Sequence, residues 1–306
     1  MTELHTIDLH YLGAPEAIAS YIIESSDGPV MIETGPGSSL GALVDGLKAI
    51  GHEPGDVKHV LVTHIHFDHA GASGWMAAQG AHVYVHEFGA PHLVNPDKLV
   101  TSAKRIYGDD MDRLWGELLP IPEQQVTAVH DGDVMTFGDV AIRAIETPGH
   151  ARHHHAFATE LNGESIAFTG DAAATHIEGC DRFISVPTPP PEFDLETWLA
   201  SVDRLDEETF DAIYPTHFGR VDDVAGHLRR LRTALREHAA FIRERMDAGI
   251  EKAAIRDEYL AWFVGRAEQD EVPLEKMGFY VKDTLADMNV TGIMRYWTKK
   301  AEAAAK

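Results

Sequence analysis

Along the first two-thirds of the chain, short apolar runs alternate with turns marked by Gly, Asp and Pro. Ala17–Ile23 and Val30–Ile32 read as paired strands that end in the turn Glu33-Thr34-Gly35-Pro36-Gly37. Ser39 opens a helical pattern through Leu43, Leu47 and Ile50, and Gly51 supplies its C-terminal stop. Val60-Leu61-Val62-Thr63 is a short buried strand, and Gly71-Ala72 marks a helix entry beyond it. Val83–Val85 is a further strand. From Gln125 to Phe168 strands dominate: Val126–Val129, Val134–Phe137, Val140–Thr147, His155–Thr159 and Ser165–Thr169. Asp131-Gly132-Asp133 and Asn162-Gly163 turn the chain between them. Pro91 to Pro122 carries few strand signals and reads as an inserted loop with a short helix, placed to cover a pocket. The proline-rich stretch 184–194 is a stiff, non-helical crossing.

After Phe218 the period becomes helical. Val224, Leu228, Leu231, Leu235, Ala239 and Ile242 recur at three- and four-residue steps, opposite an Arg-rich solvated face. Two further helical patterns follow, around Ile255–Arg266 and Phe279–Trp297. Interleaved strands and helices indicate an α/β chain or a sandwich with outer helices. The expected domains are residues 1–220 and a helical extension over 221–306. Trp262, Phe263, Phe279, Tyr280 and Trp297 would pack that extension, shape a pocket or meet a second copy in a homodimer.

Composition narrows the partners. The chain of 306 residues has 26 Lys and Arg against 49 Asp and Glu, a formal net charge of −23. That surface repels nucleic acid backbones and anionic membranes at long range, which leaves a small-molecule substrate as the expected partner. Cys180 is the only cysteine, so an intrachain disulfide is excluded, and it reads as a small buried hydrophobe. The start has no basic-then-apolar leader pattern, and no uncharged run reaches membrane-spanning length, so a cytoplasmic location is expected.

The chemistry sits at strand ends. His64-Ile65-His66-Phe67-Asp68-His69 places three imidazoles and a carboxylate in the turn after the Val60 strand. Imidazole nitrogen and carboxylate oxygen suit zinc, iron(II) and manganese. Three more ligand-type residues stand where strands stop: His150 after Thr147-Pro148-Gly149, Asp171 after Phe168-Thr169-Gly170, and His217 after Ile213-Tyr214-Pro215-Thr216. No Ser-His-Asp set or Gly-rich phosphate loop competes with them.

In order and spacing these segments resemble the metallo-β-lactamase superfamily, over roughly residues 15–220. The resemblance implies a four-layered αβ/βα sandwich of the α/β (α+β) class. It implies two divalent ions, Zn2+ first, with Fe2+ or Mn2+ as alternatives. His64, His66 and His150 would hold one ion, Asp68, His69 and His217 the other, and Asp171 would bridge them. A water between such ions is acidified toward hydroxide near neutral pH, which gives a nucleophile without Ser or Cys. Asp68 and Asp171 are the expected catalytic carboxylates, and His154 an outer partner of the ligands. Phe67, Tyr107 and His176 are candidates for the substrate pocket, and Tyr214 for hydrogen bonding to substrate. Arg152, His153 and His155 carry no assigned role.

Within the superfamily, Asp171 argues against the dedicated β-lactamases, and His66 against the diiron oxygen-reducing branch. The expected reaction is hydrolysis of an ester, lactone or thioester. A mononuclear iron persulfide dioxygenase and a phosphodiester or phosphotriester hydrolase are the alternatives. One departure stands out: the family's Asp-x-Gly turn is Glu33-Thr34-Gly35 here, and its longer carboxylate bears on metal identity.

Overall fold

Two sheets carry the first compact unit of this computed structural model, which describes residues 2–277 and 283–305. The first sheet runs in the order β1 (Leu4–Asp8), β2 (Ala19–Ser25), β3 (Gly28–Ile32), β4 (His59–Leu61), β5 (His82–His86) and β6 (Val126–Val129). β1, β2 and β3 pair antiparallel, with Tyr21 opposite Ile32, and the pairs from β3 to β6 are parallel. The second sheet contains β7 (Val134–Phe137), β8 (Val140–Glu146), β9 (His155–Leu161), β10 (Glu164–Phe168) and β11 (Ala212–Tyr214). It is antiparallel except for the parallel pair β10 and β11. One apolar cluster joins the two sheets, drawing on Tyr21, Ile23, Val30 and Ile32 from one and Ile142, Phe157, Ile166 and Phe168 from the other. Each such aliphatic side chain contributes about 1.5–3 kcal/mol on burial.

Short helices complete this unit: α1 (Leu40–Ala49), α2 (Phe67–Ala70), α3 (Ser73–Ala78), α4 (Ala90–Val94), α5 (Asp97–Tyr107) and α6 (Met111–Trp115). α1 stops at Ile50, and Gly51 follows at φ 92°, as the pattern requires. The inserted segment departs from the expected loop with one short helix, because α4, α5 and α6 occupy much of it. Pro91 lies in the first turn of α4, where its missing N–H costs nothing. Leu99, Ala103 and Tyr107 repeat every four residues along α5 and face Phe67 and Met111. Gly108 and Gly116, both at positive φ, end α5 and α6. Helices this short lack the long period that marks a helix in sequence.

The second unit holds α7 (Leu195–Glu207), α8 (Val224–Asp247), α9 (Lys252–Gln269), α10 (Leu274–Met277) and α11 (Asp283–Ala304). Asp194 and Asp223 cap α7 and α8 by accepting from Thr197 N and Gly226 N. Ile177, Phe183, Phe263 and Ala267 form an apolar cluster here, and the half-buried Cys180 packs on it with its thiol pushed up by burial. Residues 184–194 are non-helical, as expected. Phe279 and Tyr280 lie outside the described residues. The units interleave in sequence: the first takes Met1–Glu146, His153–Gly170 and Phe210–Asp222, the second Thr147–Arg152, Asp171–Thr209 and Asp223–Lys306. Among the described residues no helix is long and apolar enough to cross a membrane.

Candidate metal centre

Parallel pairing brings the C-terminal ends of β3, β4 and β5 to one edge of their sheet. The chain leaving β4 bends at Thr63 and His64, is extended at the N-cap His66 (ψ 154°), and then enters α2. This turn brings His64 and His66 together: His64 Nε2 lies 2.9 Å from His66 Nδ1. The following helical turn brings the His69 ring to 4.0 Å from that of His64. Both His64 and His69 are buried, whereas the Asp68 carboxylate remains partly open.

His217 arrives from the end of β11. Its Nδ1 donates to the Ala17 carbonyl at 2.7 Å, which turns Nε2 toward Asp68 Oδ2, 3.6 Å away. Tyr21 steadies the approach, donating to the Pro215 carbonyl and accepting from Gly219 N. One ligand atom each from Asp68, His69 and His217 lies within 4.8 Å of the others. This donor set fits a divalent ion. Two ring nitrogens 2.9 Å apart repel through their lone pairs unless a proton or a cation lies between them.

The second unit presents the other two expected ligands as a pair. His150 Nε2 is 3.2 Å from Asp171 Oδ2, and both side chains are buried. His150 Nδ1 donates to the Pro187 carbonyl at 2.9 Å. The Trp198 ring stands edge-on to His150 at 5.5 Å, and its Nε1 donates to the Ala172 carbonyl at 2.8 Å. Gly149 explains its own identity: at φ 130°, a Cβ there would meet Trp198 Cα at 2.3 Å.

The remaining candidates separate. His154 is buried with its ring 4.8 Å from His64. His153, to which the sequence assigned no role, is also buried, with ring centroids 6.0 Å from His64 and 5.6 Å from His66. His155 stacks on His86 instead, and Arg152 pairs with Glu192 near solvent. Tyr214 lies in the core between the sheets and accepts from Arg220. His176 Nε2 sits 3.2 Å from Asp181 Oδ1. Phe67 is buried among Ala103, Met111 and Trp115, and Tyr107 meets the same Trp115 ring edge-on at 5.2 Å. Tyr11 was not anticipated from sequence. It stacks on Trp115 at 5.7 Å, and burial together with the Asp68 charge pushes both the Tyr11 and Tyr107 phenols above their ordinary range. Only the tertiary return of the N-terminal segment discloses it.

Glu33 is the least ordinary of these side chains. It is buried and held at φ 66°, a left-handed conformation that costs an L-residue about 1–2 kcal/mol. Its Oε1 accepts from Thr63 Oγ1, from Thr63 N at 3.3 Å and from Thr216 Oγ1 at 3.3 Å, and lies 3.3 Å from His69 Nδ1. The longer carboxylate thus ties the segments carrying His64 and His217 together behind His69. Glu33→Gln is expected to keep the fold and lower kcat/KM about 10–100-fold, as loss of an outer-shell partner does. Unchanged kcat/KM and metal content would show that the carboxylate charge has no part in holding His69.

A family model described as the metallo-beta-lactamase superfamily matches residues 13–217. The metallo-beta-lactamase fold-containing protein ST1585 of Sulfurisphaera tokodaii is 27% identical over 236 residues, covering 74% of this chain and 84% of its own. An N-acyl homoserine lactonase of Bacillus thuringiensis is 27% identical over 225 residues, covering 61% and 74%. The metallo-beta-lactamase family protein TTHA1429 of Thermus thermophilus superposes with a TM-score of 0.71 at 20% identity, covering 97% of this chain and 94% of its own. The matched span starts ahead of β2 and ends on His217, so it takes in every strand but β1 and each candidate ligand at a strand end. The chain therefore belongs to the metallo-beta-lactamase superfamily, as a metal-dependent hydrolase.

Proposed function

We propose that the chain hydrolyses an ester-like bond, a lactone, thioester or ester, in a small molecule at a centre of two divalent ions. His64, His66 and His150 would hold one ion, and Asp68, His69 and His217 the other, with Asp171 between them. The observation that carries this reading is the convergence of Asp68, His69 and His217, with the His217 tautomer already fixed on a backbone carbonyl. Zinc suits the imidazole-rich set best, and iron(II) or manganese also fit its carboxylates.

Divalent ions bound there supply Lewis acidity and lower the pKa of water enough for attack near neutral pH. The chain's own groups do the rest. Asp68, the partly open carboxylate of the set, accepts a proton from the attacking water and orients it. Tyr11 and Tyr107 keep their protons under the combined effect of burial and the Asp68 charge, so each remains a donor for a substrate oxygen. Trp115, touching both rings, offers an apolar face to the group attached to the scissile bond. The lactonase among the relatives adds support for a cyclic ester as substrate.

The test combines metal analysis of protein purified without added metal with a panel of lactones, thioesters, chromogenic esters and phosphotriesters. The expected result is two ions per chain and turnover of the ester-like members, abolished by chelation and restored by zinc. One iron per chain, with oxygen uptake on a persulfide and no ester cleavage, would sink the proposal.

A further inference from the structure

The peptide group between Pro187 and Thr188 is held from both ends. Its carbonyl accepts from His150 Nδ1 at 2.9 Å, and its N–H donates to Asn289 Oδ1 at 2.8 Å. A trans amide directs these two groups in opposite directions, so one rigid plane links His150 to Asn289. Thr188 Oγ1 adds contacts at 3.2 Å to Asn289 Oδ1 and to the Asn289 carbonyl. Asn289 belongs to α11 and is 7% exposed.

The orientation of that asparagine is itself fixed. Burial, with the nearby Arg266 charge, pushes His238 down to about 3, so its ring is neutral. Tyr259 Oη lies 2.7 Å from His238 Nδ1, and the phenol oxygen accepts from Asn289 Nδ2 at 3.5 Å. The Thr188 N–H can only donate, so it is Asn289 that turns its oxygen to Thr188, and the amide nitrogen falls on the side of Tyr259. Gly292, one turn further along α11, presses its backbone on the same strap: a Cβ there would lie 1.8 Å from the Thr188 carbonyl oxygen.

We propose that Asn289 is a positioning residue for the metal centre, setting the ring orientation and tautomer of His150 through the Pro187–Thr188 peptide. The proposal rests on the reading of His150 as a ligand. A carbonyl can only accept, so His150 carries its proton on Nδ1 and offers the Nε2 lone pair on the side of Asp171. Partners of this kind hold metal ligands in register, and their loss weakens binding about 10–100-fold. The C-terminal helices then contribute to the chemistry through one side chain that never touches substrate.

The test uses the full chain loaded with cobalt(II), whose visible spectrum reports ligand geometry, together with zinc affinity by chelator competition. Asn289→Leu is expected to weaken zinc binding about 10–100-fold and shift the cobalt bands, with helix content retained. Tyr259→Phe removes a buried hydrogen bond of the same network without touching the peptide. It is expected to lower Tm and leave both metal readouts within about twofold, well short of the outer-shell effect. Should Asn289→Leu fail to fold, Gly292→Ala displaces the Thr188 strap by sterics and is expected to shift the same bands. Wild-type cobalt spectra and zinc affinity in whichever of the two variants folds would overturn the proposal. His150→Ala separates the two levels: retained metal there overturns the ligand reading as well, whereas lost metal confines the failure to Asn289.

Discussion

Asp171→Ala is expected to lose about one metal equivalent per chain and to lower kcat/KM about 10³-fold, beyond the roughly 10–100-fold of an outer-shell partner. Asp171 is 2% exposed and its Oδ2 lies 3.2 Å from His150 Nε2. On the proposed reading a carboxylate between two cations would offset charge at both, so its loss would loosen each. The comparison needs a histidine remote from the ligands. His153 is unsuitable because it is buried beside His64 and His66. His130, with a side chain 57% exposed, serves instead, and His130→Ala is expected to stay within about twofold, as surface changes usually do. Metal analysis and steady-state kinetics on the two variants decide the matter. Two full equivalents of metal and unchanged kcat/KM in Asp171→Ala would remove Asp171 from the ligand set.

Gly149→Ala is expected to destabilise the protein by about 2–4 kcal/mol, from overpacking and from backbone strain together. The added methyl would lie 2.3 Å from Trp198 Cα and 2.4 Å from Trp198 N, atoms of a helix backbone that cannot rotate aside. The φ of 130° adds strain that any L-residue meets there. Thermal unfolding should then shift down by roughly 10 °C for a unit of this size. Gly163→Ala isolates the strain, because Gly163 has φ 87° in open space, and it should cost only about 1–2 kcal/mol. Equal losses of Tm in the two variants would mean that the close approach to Trp198 carries no cost.

Where the chain's signals are local, the sequence discloses them. Strands such as Val134–Phe137 need only a run of apolar residues between turn formers, and they form as expected. His64, His66, Asp68 and His69 are legible because strand-end placement and ligand chemistry coincide in one short run, and His217 because a strand ends just before it. The fold class follows from the interleaving of strands and helices. Illegible parts depend on distant partners. Glu33 meets Thr63 and Thr216, 30 and 183 positions away, and nothing near Glu33 announces either. Asn289 meets Thr188 across 101 positions. Of helices α4 to α6 the sequence discloses one short helix and not three, because their inward residues become a pattern only when Phe67 is known to face them.

The interleaving of the two units has a consequence for how such a chain changes over generations. The segments bearing His150 and Asp171 are excursions, one between β8 and β9 and the other between β10 and β11. Each leaves and re-enters a sheet whose strand pairing is set elsewhere, by the register of β8 with β9 and of β10 with β11. Insertions or deletions within 171–209 can therefore alter the second unit while the hydrogen-bonded ladder of the first stays in step. By contrast, a chain ending at residue 220 would keep both excursions and lose α8 to α11, the helices that belong with them. Length can change in these loops without breaking the strand ladder, whereas loss of the tail strips the second unit of four helices.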